Sequence, residues 1–401
     1  MKRVIITTFA VCLAVCLTFA FIYAPWSHTP LNRPVKVGFI YENDESTVYT
    51  HNFATAEDAL TRQYGDRVSL MIRSDVPERE TAEPLRELAE AGCDIIFAYT
   101  YSDEITQVAP EYPQTQFCQI SRKNTDGAPG PDNYHTFNAE IYQGRYVCGI
   151  AAGMKLRELI DAKQISADEA LMGFVAAYPD AETRSAYTAF LLGARSVAPE
   201  AALMVRYTQS RCSYGKERTA AEALIKSGCK IIAQHSPTLA PAMACEDAWV
   251  RGTTVYHIGQ DRNTLDLIPN AALVSVKVNW SPYVLAAVGA VMSRHHIESR
   301  IDANVHGSDV SAGFDRGWVQ LLELNVQNAA PDTQAALEKA VDALRKGKLD
   351  VFKGPYTGAN PATGETCDLS RGFTENARSS YPAFNYVIDG VEEENGKTGL
   401  Y

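Results

Sequence analysis

The sequence has no run of more than two basic residues, no Cys-x-x-Cys, no His-Glu-x-x-His, no Gly-x-Ser-x-Gly and no zinc-type spacing of Cys and His. Each absence removes a class. Lys and Arg total 37 against 48 acids, a net charge of -11, so no basic stripe is available to neutralise phosphates and nucleic acid is excluded as a partner. Without a nucleophile elbow or metal-ligand spacing, nothing calls for a catalytic centre, a metal or an organic cofactor. Gly149-Ile150-Ala151-Ala152-Gly153-Met154-Lys155 lacks the Gly-Lys-[Ser/Thr] ending of a phosphate loop and lies within a helical pattern, so its expected role is helix packing. Nine cysteines, two of them within the first 16 residues, are too few and too scattered for a disulfide scaffold. Cys93 and Cys229 are read as small buried apolar residues.

Long apolar runs are confined to one place. Behind Met1-Lys2-Arg3, Val4 to Ala24 carries no charge over 21 positions. That length fits an export signal and also suffices to cross a bilayer once, with Lys2 and Arg3 inside and the remainder outside the cytoplasm. Cleavage after Thr18-Phe19-Ala20, lipidation at Cys16 and an uncleaved anchor are all open, and the apolar run beyond Cys16 favours the anchor. Residues 1–34 are therefore expected to form a signal or anchor with its spacer, and to provide a membrane contact.

What is present is a sequence written twice. Leu88–Ala98 (LAEAGCDIIFA) is echoed 136 positions on by Leu224–Ala233 (LIKSGCKIIA), and Val37–Ile40 by Met172–Val175 at an offset of 135. Each copy runs strand, helix, Gly-Cys turn, strand, a βαβ unit with a period too long for a solenoid. Strands and helices alternate throughout, which predicts an α/β protein of two lobes, each a mainly parallel sheet flanked by helices. Residues 35–140 with about 275–327 form the expected first lobe, 141–274 with about 328–391 the second, and 392–401 a polar tail. The loop Asp126–Asp132 is expected to lead out of the first lobe, and Leu273–Val278 to carry the chain back to it. Glu140–Leu159, rich in small residues, is expected at an interlobe seam. A helix is expected over Ala186–Ser196, and Glu392-Glu393-Glu394 are expected to be solvated.

Open α/β sheets bind ligands beyond the carboxyl ends of their strands, so the cleft between two such lobes is the natural site. In the first copy those ends read Tyr41-Glu42-Asn43-Asp44, Tyr99-Thr100-Tyr101-Ser102-Asp103 and Gln119-Ile120-Ser121. In the second they read Tyr178-Pro179-Asp180, Gln234-His235-Ser236 and Gly259-Gln260-Asp261. Rings offer stacking faces while amides and carboxylates fix orientation, which suits a flat, hydrogen-bonding ligand. Taken singly, each residue is better explained as a cap or a solvated group. As a set at the ends of a doubled sheet they point to a ligand cleft, with Tyr101, Ser121, Tyr178 and Gln260 among its candidates.

Tyr49-Thr50-His51-Asn52 resembles the Tyr-x-His-[Asp/Asn] motif of one branch of the basic membrane protein family. Glu140 through Gly153, Phe190 through Ser196, Asn279-Trp280-Ser281-Pro282-Tyr283 and Val351 through Pro355 are similar to the same branch in order and spacing. Members are extracytoplasmic solute-binding proteins of ABC importers, many of them lipoproteins, with a two-lobed type I periplasmic-binding fold and chiefly purine ligands. The resemblance implies a small ligand of the purine or nucleoside class and ABC permease subunits as partners. It puts Tyr49, His51 and Asn52 on the first-lobe wall, Asp261 where nucleoside binders hold the sugar, and Trp280 where the branch keeps a Trp. The sequence departs from the branch at Thr47, Thr188 and Asn263. Ser121 replaces an Asp that nucleoside binders aim at the base, and Lys277 is offset by one from the family lysine.

The expected function is capture of a purine base or nucleoside by hinge closure, for delivery to a permease. A membrane-tethered sensor of the same fold is the first alternative. An exported nucleoside-processing enzyme is the second, and for its acid-base cluster the sequence offers His51 with Asp103 or Glu42.

Overall fold

A computed structural model of the protein describes residues 30–44, 46–123 and 130–394. The apolar leader lies outside the described residues, and with it the expected anchor, lipidation and cleavage positions. Among the described residues no helix is long and apolar enough to cross a membrane.

The first sheet holds β1 (Val35–Tyr41), β2 (Val68–Arg73), β3 (Ile95–Tyr99), β4 (Gln116–Ile120) and β5 (Tyr134–Ala139), with β11 (Asn304–His306) and β12 (Asp309–Ala312) added late. The second holds β6 (Leu171–Ala176), β7 (Ala202–Tyr207), β8 (Ile231–His235), β9 (Tyr256–Gln260), β10 (Ala272–Val278), β13 (Val319–Leu321) and β17 (Val391–Glu394). Between them run α1 (Val48–Tyr64), α2 (Ala82–Glu90), α3 (Ile105–Val108), α4 (Ile141–Asp161), α5 (Ala181–Arg195), α6 (Tyr214–Lys226), α7 (Ala240–Val250), α8 (Ser281–Ser293) and α9 (Thr333–Arg345). A small antiparallel sheet of β14 (Thr357–Ala359), β15 (Thr366–Asp368) and β16 (Val387–Ile388) completes the C-terminal region.

The sheet orders are β11-β12-β5-β4-β3-β1-β2 and β13-β10-β9-β8-β6-β7-β17. Stripped of the late strands, the two orders superpose, so the sequence repeat is a repeat of topology. The turns repeat as well. Gly92 and Gly228 take φ of +82° and +95°, which only glycine adopts without cost, and close α2 and α6. The next residue donates back into the last turn in both copies, Cys93 N to Leu88 O at 3.1 Å and Cys229 N to Leu224 O at 3.2 Å. That places Leu88 and Leu224 against Gly38 and Gly173 of the adjacent strand, where a side chain would leave no room.

The structure differs from the sequence-based partition at several places. After the loop at 126–132 the chain remains in the first lobe as β5, whose Phe137 and Ala139 join the core; it leaves at Glu140. β10 lies in the second sheet, parallel to β9 and antiparallel to β13, so residues 272–278 and 319–321 both belong to the second lobe. The late segment of the first lobe is α8, β11 and β12. α4 packs on α5 within the second lobe rather than at a seam between lobes: a Cβ on Gly149 would collide with the carbonyl of Phe190, and one on Gly193 with that of Tyr146. α5 begins at Ala181, because Asp180 caps it by accepting from Thr183 N at 2.9 Å.

The expected polar tail is in part structural. Val391–Glu394 pairs with β7 as an edge strand, and Glu393 accepts from Arg184 Nε at 3.1 Å, Arg184 Nη2 at 3.2 Å and Tyr187 Oη at 2.9 Å. Arg184 is 2 % exposed and also donates to Pro179 O and Asn385 Oδ1, so this pair fixes the entry to α5.

Two stability changes follow. Gly149→Val overpacks the α4–α5 contact and should lower the free energy of unfolding by about 1–3 kcal/mol in urea denaturation. Glu393→Ala leaves a buried guanidinium uncompensated and should cost about 3–5 kcal/mol, against a smaller loss for Glu393→Gln.

Candidate functional site

The carboxyl ends of the two sheets face each other, and side chains from both meet. Val48 N donates to Pro237 O at 3.0 Å, Tyr101 Oη to Glu182 Oε2 at 3.4 Å, and Arg211 pairs with Glu78 at 3.3 Å. The Arg211 guanidinium lies 4.2 Å above the Tyr101 ring and 5.5 Å from that of Tyr178. Deeper in, Asn52 Nδ2 of α1 donates to Asp261 Oδ1 at 3.1 Å and to Val278 O at 2.5 Å. The lobes are closed on one another.

A polar relay forms the floor. Arg145 of α4 donates to Gln260 Oε1, Gln260 Nε2 donates to Asp261 Oδ2 at 3.1 Å, and Asp261 Oδ1 also accepts Val278 N at 2.8 Å. Asp261 has φ of 58°, a left-handed conformation that Asp tolerates better than most residues and that turns its carboxylate back toward β10. One side chain therefore ties the second sheet, the crossover after Val278 and the first-lobe helix α1 together.

Two adjoining cavities of about 30 and 60 Å³ lie between the lobes and share Tyr49, Tyr99, Tyr101, Glu182 and His235. The inner one adds Asn138, Gln260, Asp261 and Trp280; the outer adds Glu42, Asn43, Tyr178, Asp180 and Arg211. Their volumes admit a few waters, far short of the roughly 300–1,000 Å³ of a drug-sized site, so the lobes must part to admit a ligand. A larger groove of about 690 Å³ between β13 and α9 is an open trough with no buried polar residue in its lining. The interlobe cavities are the better site because Tyr49 Oη and His235 Nδ1 are buried at their walls without a protein partner. Close by, Arg145 Nε and Nη1 are also unpaired. Buried polar atoms are almost always bonded, and a cluster of exceptions marks where something else bonds them.

Burial sets the charges. Loss of water, with the neighbouring Asp180 charge adding to it, pushes the Glu182 carboxyl up to about 8. Asp261 is pushed up to about 6 by burial, against the hydrogen bonds it accepts. Burial and the Arg145 charge drive His235 and His257 down to about 3, so both imidazoles are neutral. His257 Nε2 then donates to Gln234 Oε1 at 3.0 Å. The Arg145 guanidinium is itself lowered by burial.

Of the residues singled out from sequence, Tyr49, Tyr101, Tyr178, Gln260, Asp261 and Trp280 line the cavities. Trp280 stacks one face on Phe53 at 5.4 Å and presents the rest as wall. Asn52 stands behind them, holding Asp261. Two candidates are placed elsewhere. His51 is exposed on α1 and lines neither cavity, because the helix turns it away from the cleft. Ser121 is buried in a separate network, bonded to Asp309 Oδ1 at 3.3 Å and to Ser380 Oγ at 2.5 Å. Asp103 is held by Arg122 and Lys123, and Glu42 accepts from Thr100 Oγ1 and Tyr101 N, so the sketched acid-base cluster with His51 is not assembled. Sequence reasoning missed Glu182, Asn138, Arg145 and Arg211 as site residues. Glu182 was findable: Asp180 followed by Ala-Glu-Thr is a helix-start signal that puts Glu182 in the first turn.

The chain matches the Bmp family, described as ABC transporter substrate-binding protein PnrA-like, over residues 58–346. It is 28% identical over 327 residues to a purine-binding protein of Brucella abortus, covering 80% of this chain and 84% of that one. It is 32% identical over 201 residues to a Haloferax volcanii protein provisionally named as an ABC transporter glucose-binding protein, covering 49% of this chain and 47% of the other. Among solved structures, an ABC transporter solute-binding protein of Aeropyrum pernix aligns with a TM-score of 0.63 at 16% identity, over 79% of this chain and 92% of that chain. The fold is thus that of the two-lobed periplasmic-binding proteins.

Glu182 gives the ligand-free protein a measurable signature. Its carboxyl is protonated in the folded protein up to about pH 8 but ionises near 4.5 in an unfolded chain. The folded state holds the extra proton across that window, so stability falls as pH rises through it. Glu182→Gln removes the effect. In thermal unfolding without ligand, the variant's advantage should grow from about pH 5 to about pH 8 and then level off. An advantage constant with pH would mean that Glu182 is charged when folded.

Proposed function

The chain belongs to the PnrA-like family of ABC transporter substrate-binding proteins, and from that premise we propose that its cleft captures a purine base or nucleoside outside the cytoplasm. The observation that carries the reading is the pairing of aromatic walls with unsatisfied polar atoms. Tyr49, Tyr99, Tyr101 and Trp280 enclose the space into which Tyr49 Oη and His235 Nδ1 bring unmet hydrogen-bonding capacity. A flat heterocycle answers both, with faces for the rings and ring nitrogens or exocyclic groups for the polar atoms. The purine-binding Brucella relative supports the ligand class.

Capture requires opening. Parting the lobes breaks the Val48–Pro237, Tyr101–Glu182 and Arg211–Glu78 contacts and exposes the floor at Asp261. Closure over a ligand restores them and presents a rigid two-lobe surface to a permease. The leader, by its length and lack of charge, would hold the protein at the outer face of the membrane. The sensor reading shares the same cleft. The enzyme reading is disfavoured because His51, its expected base, is exposed on α1.

Thermal melting of the full chain with adenine, hypoxanthine, adenosine, inosine and glucose tests this. A purine should raise the melting temperature progressively with concentration, by the equivalent of about 2.7 kcal/mol at a hundredfold excess over Kd. Tyr101→Ala should weaken the shift by removing a wall and the contact to Glu182. A shift with glucose and none with any purine would sink the ligand class while leaving the family assignment intact.

A further inference from the structure

Glu182 occupies the wall shared by the two cavities, its side chain 12 % exposed. It projects from the first turn of α5, which the Asp180 cap and the Arg184–Glu393 pair hold in place. Tyr101 Oη lies 3.4 Å from Oε2 and His235 Nε2 lies 3.9 Å from Oε1. Both distances exceed the roughly 2.5–3.0 Å at which a hydroxyl donates well, so neither group takes up a carboxyl proton.

The Arg211 and Arg145 charges favour ionisation only from a distance, and burial together with the Asp180 charge outweighs them. Arg211 is stacked over Tyr101 and paired with Glu78, and Arg145 directs Nη2 to Gln260. Among the described residues neither forms an ion pair with Glu182. The remaining groups that face it are the hydroxyls of Tyr49, Tyr99 and Tyr381, the neutral His235 and the carboxyl of Asp180. The first turn of α5 favours a negative charge, but that gain is small beside the cost of desolvating a carboxylate next to a second acid. The geometry therefore leaves an uncharged acid with one hydrogen to donate and no protein acceptor at bonding distance.

We propose that Glu182 is the specificity-determining residue of the cleft, donating a hydrogen bond from its neutral carboxyl to an unprotonated ring nitrogen of the purine. Ligands that present a lone pair at that point are accepted, and the contact fails when the acid ionises. The inference rests on the purine reading above. Purines carry such nitrogens on both rings. A sugar has none, and its hydroxyls bond best to an ionised carboxylate, so a sugar ligand would show the opposite dependence on pH.

The test is titration calorimetry of the full chain with adenosine and adenine, with inosine and hypoxanthine alongside, corrected for each ligand's own ionisation. The window from about pH 6.5 to about pH 9 lies above the titration of Asp261. Affinity should stay level to about pH 8 and then begin to fall, approaching tenfold per pH unit beyond it. Glu182→Gln keeps a donor and cannot ionise; it should bind a few-fold more weakly and lose the fall. Glu182→Ala should lose about tenfold at neutral pH. The ligand-free melting temperature of each variant confirms that it folds. An unchanged fall in Glu182→Gln, or wild-type affinity that holds or rises with pH, would overturn the role of Glu182 and leave purine capture standing. Binding of no purine at any pH would remove the functional reading and this inference together.

Discussion

Desolvation of polar groups where two lobes close is the constraint on which the rest depends. Water satisfies these side chains when the lobes are apart. Once the cleft shuts, each must find a partner in protein or ligand. The floor meets this internally: Arg145, Gln260, Asp261, Asn52 and the Val278 backbone form one bonded relay. The walls do not, since Tyr49 Oη and His235 Nδ1 have no protein partner. On the proposed reading the floor is architecture and the walls are left for recognition.

The same constraint separates what was legible in the sequence from what was not. The doubled βαβ unit could be read because strands buried on both faces are continuous apolar runs, and because Gly92 and Gly228 mark the two turns alike. β5, by contrast, reads Tyr-His-Thr-Phe-Asn-Ala. Its polar residues are spent inside the protein, His135 on Glu298 and Gln116 and Thr136 on Asp309, so the segment resembles a loop. Glu392-Glu393-Glu394 resembles a solvated tail for a similar reason. Only residues about two hundred positions earlier in the chain, Arg184, Tyr187 and Tyr207, give Glu393 its buried partners.

Within the site, residues at strand ends could be read because topology alone puts them in the cleft; Tyr101, Tyr178, Gln260 and Asp261 are of this kind. Residues that reach the cleft by other routes could not. Arg211 arrives from the loop after β7 and is positioned by Tyr178 of its own lobe and by the ring of Tyr101, and the second of these contacts exists only when the lobes meet. Ser121 shows the converse. It stands at a strand end, yet the segment carrying Ser379 and Ser380 returns from the far end of the chain and bonds Asp309 beside it, taking Ser121 into a structural network. Position on a sheet predicts access to a cleft only where no later segment covers it.

These features also bear on why a ligand should decide the state of the lobes. The Arg211–Glu78 pair across the mouth is more than a third exposed on both sides, and exposed pairs contribute little. Tyr101 Oη reaches Glu182 only at 3.4 Å, so that bond is weak. Against these modest gains, closing the empty cleft strands buried polar atoms at its walls, each a cost of about 1–3 kcal/mol. Those stranded atoms oppose closure in the absence of a ligand. A ligand can shift that balance only through contacts it makes in one state and not the other. The unpaired wall atoms are such contacts, because Tyr49 and His235 come from different lobes and their rings lie 6.4 Å apart only when the lobes are shut. Asp261 then links occupancy to shape, since the carboxylate at the cavity wall also receives the Val278 amide at the crossover between lobes.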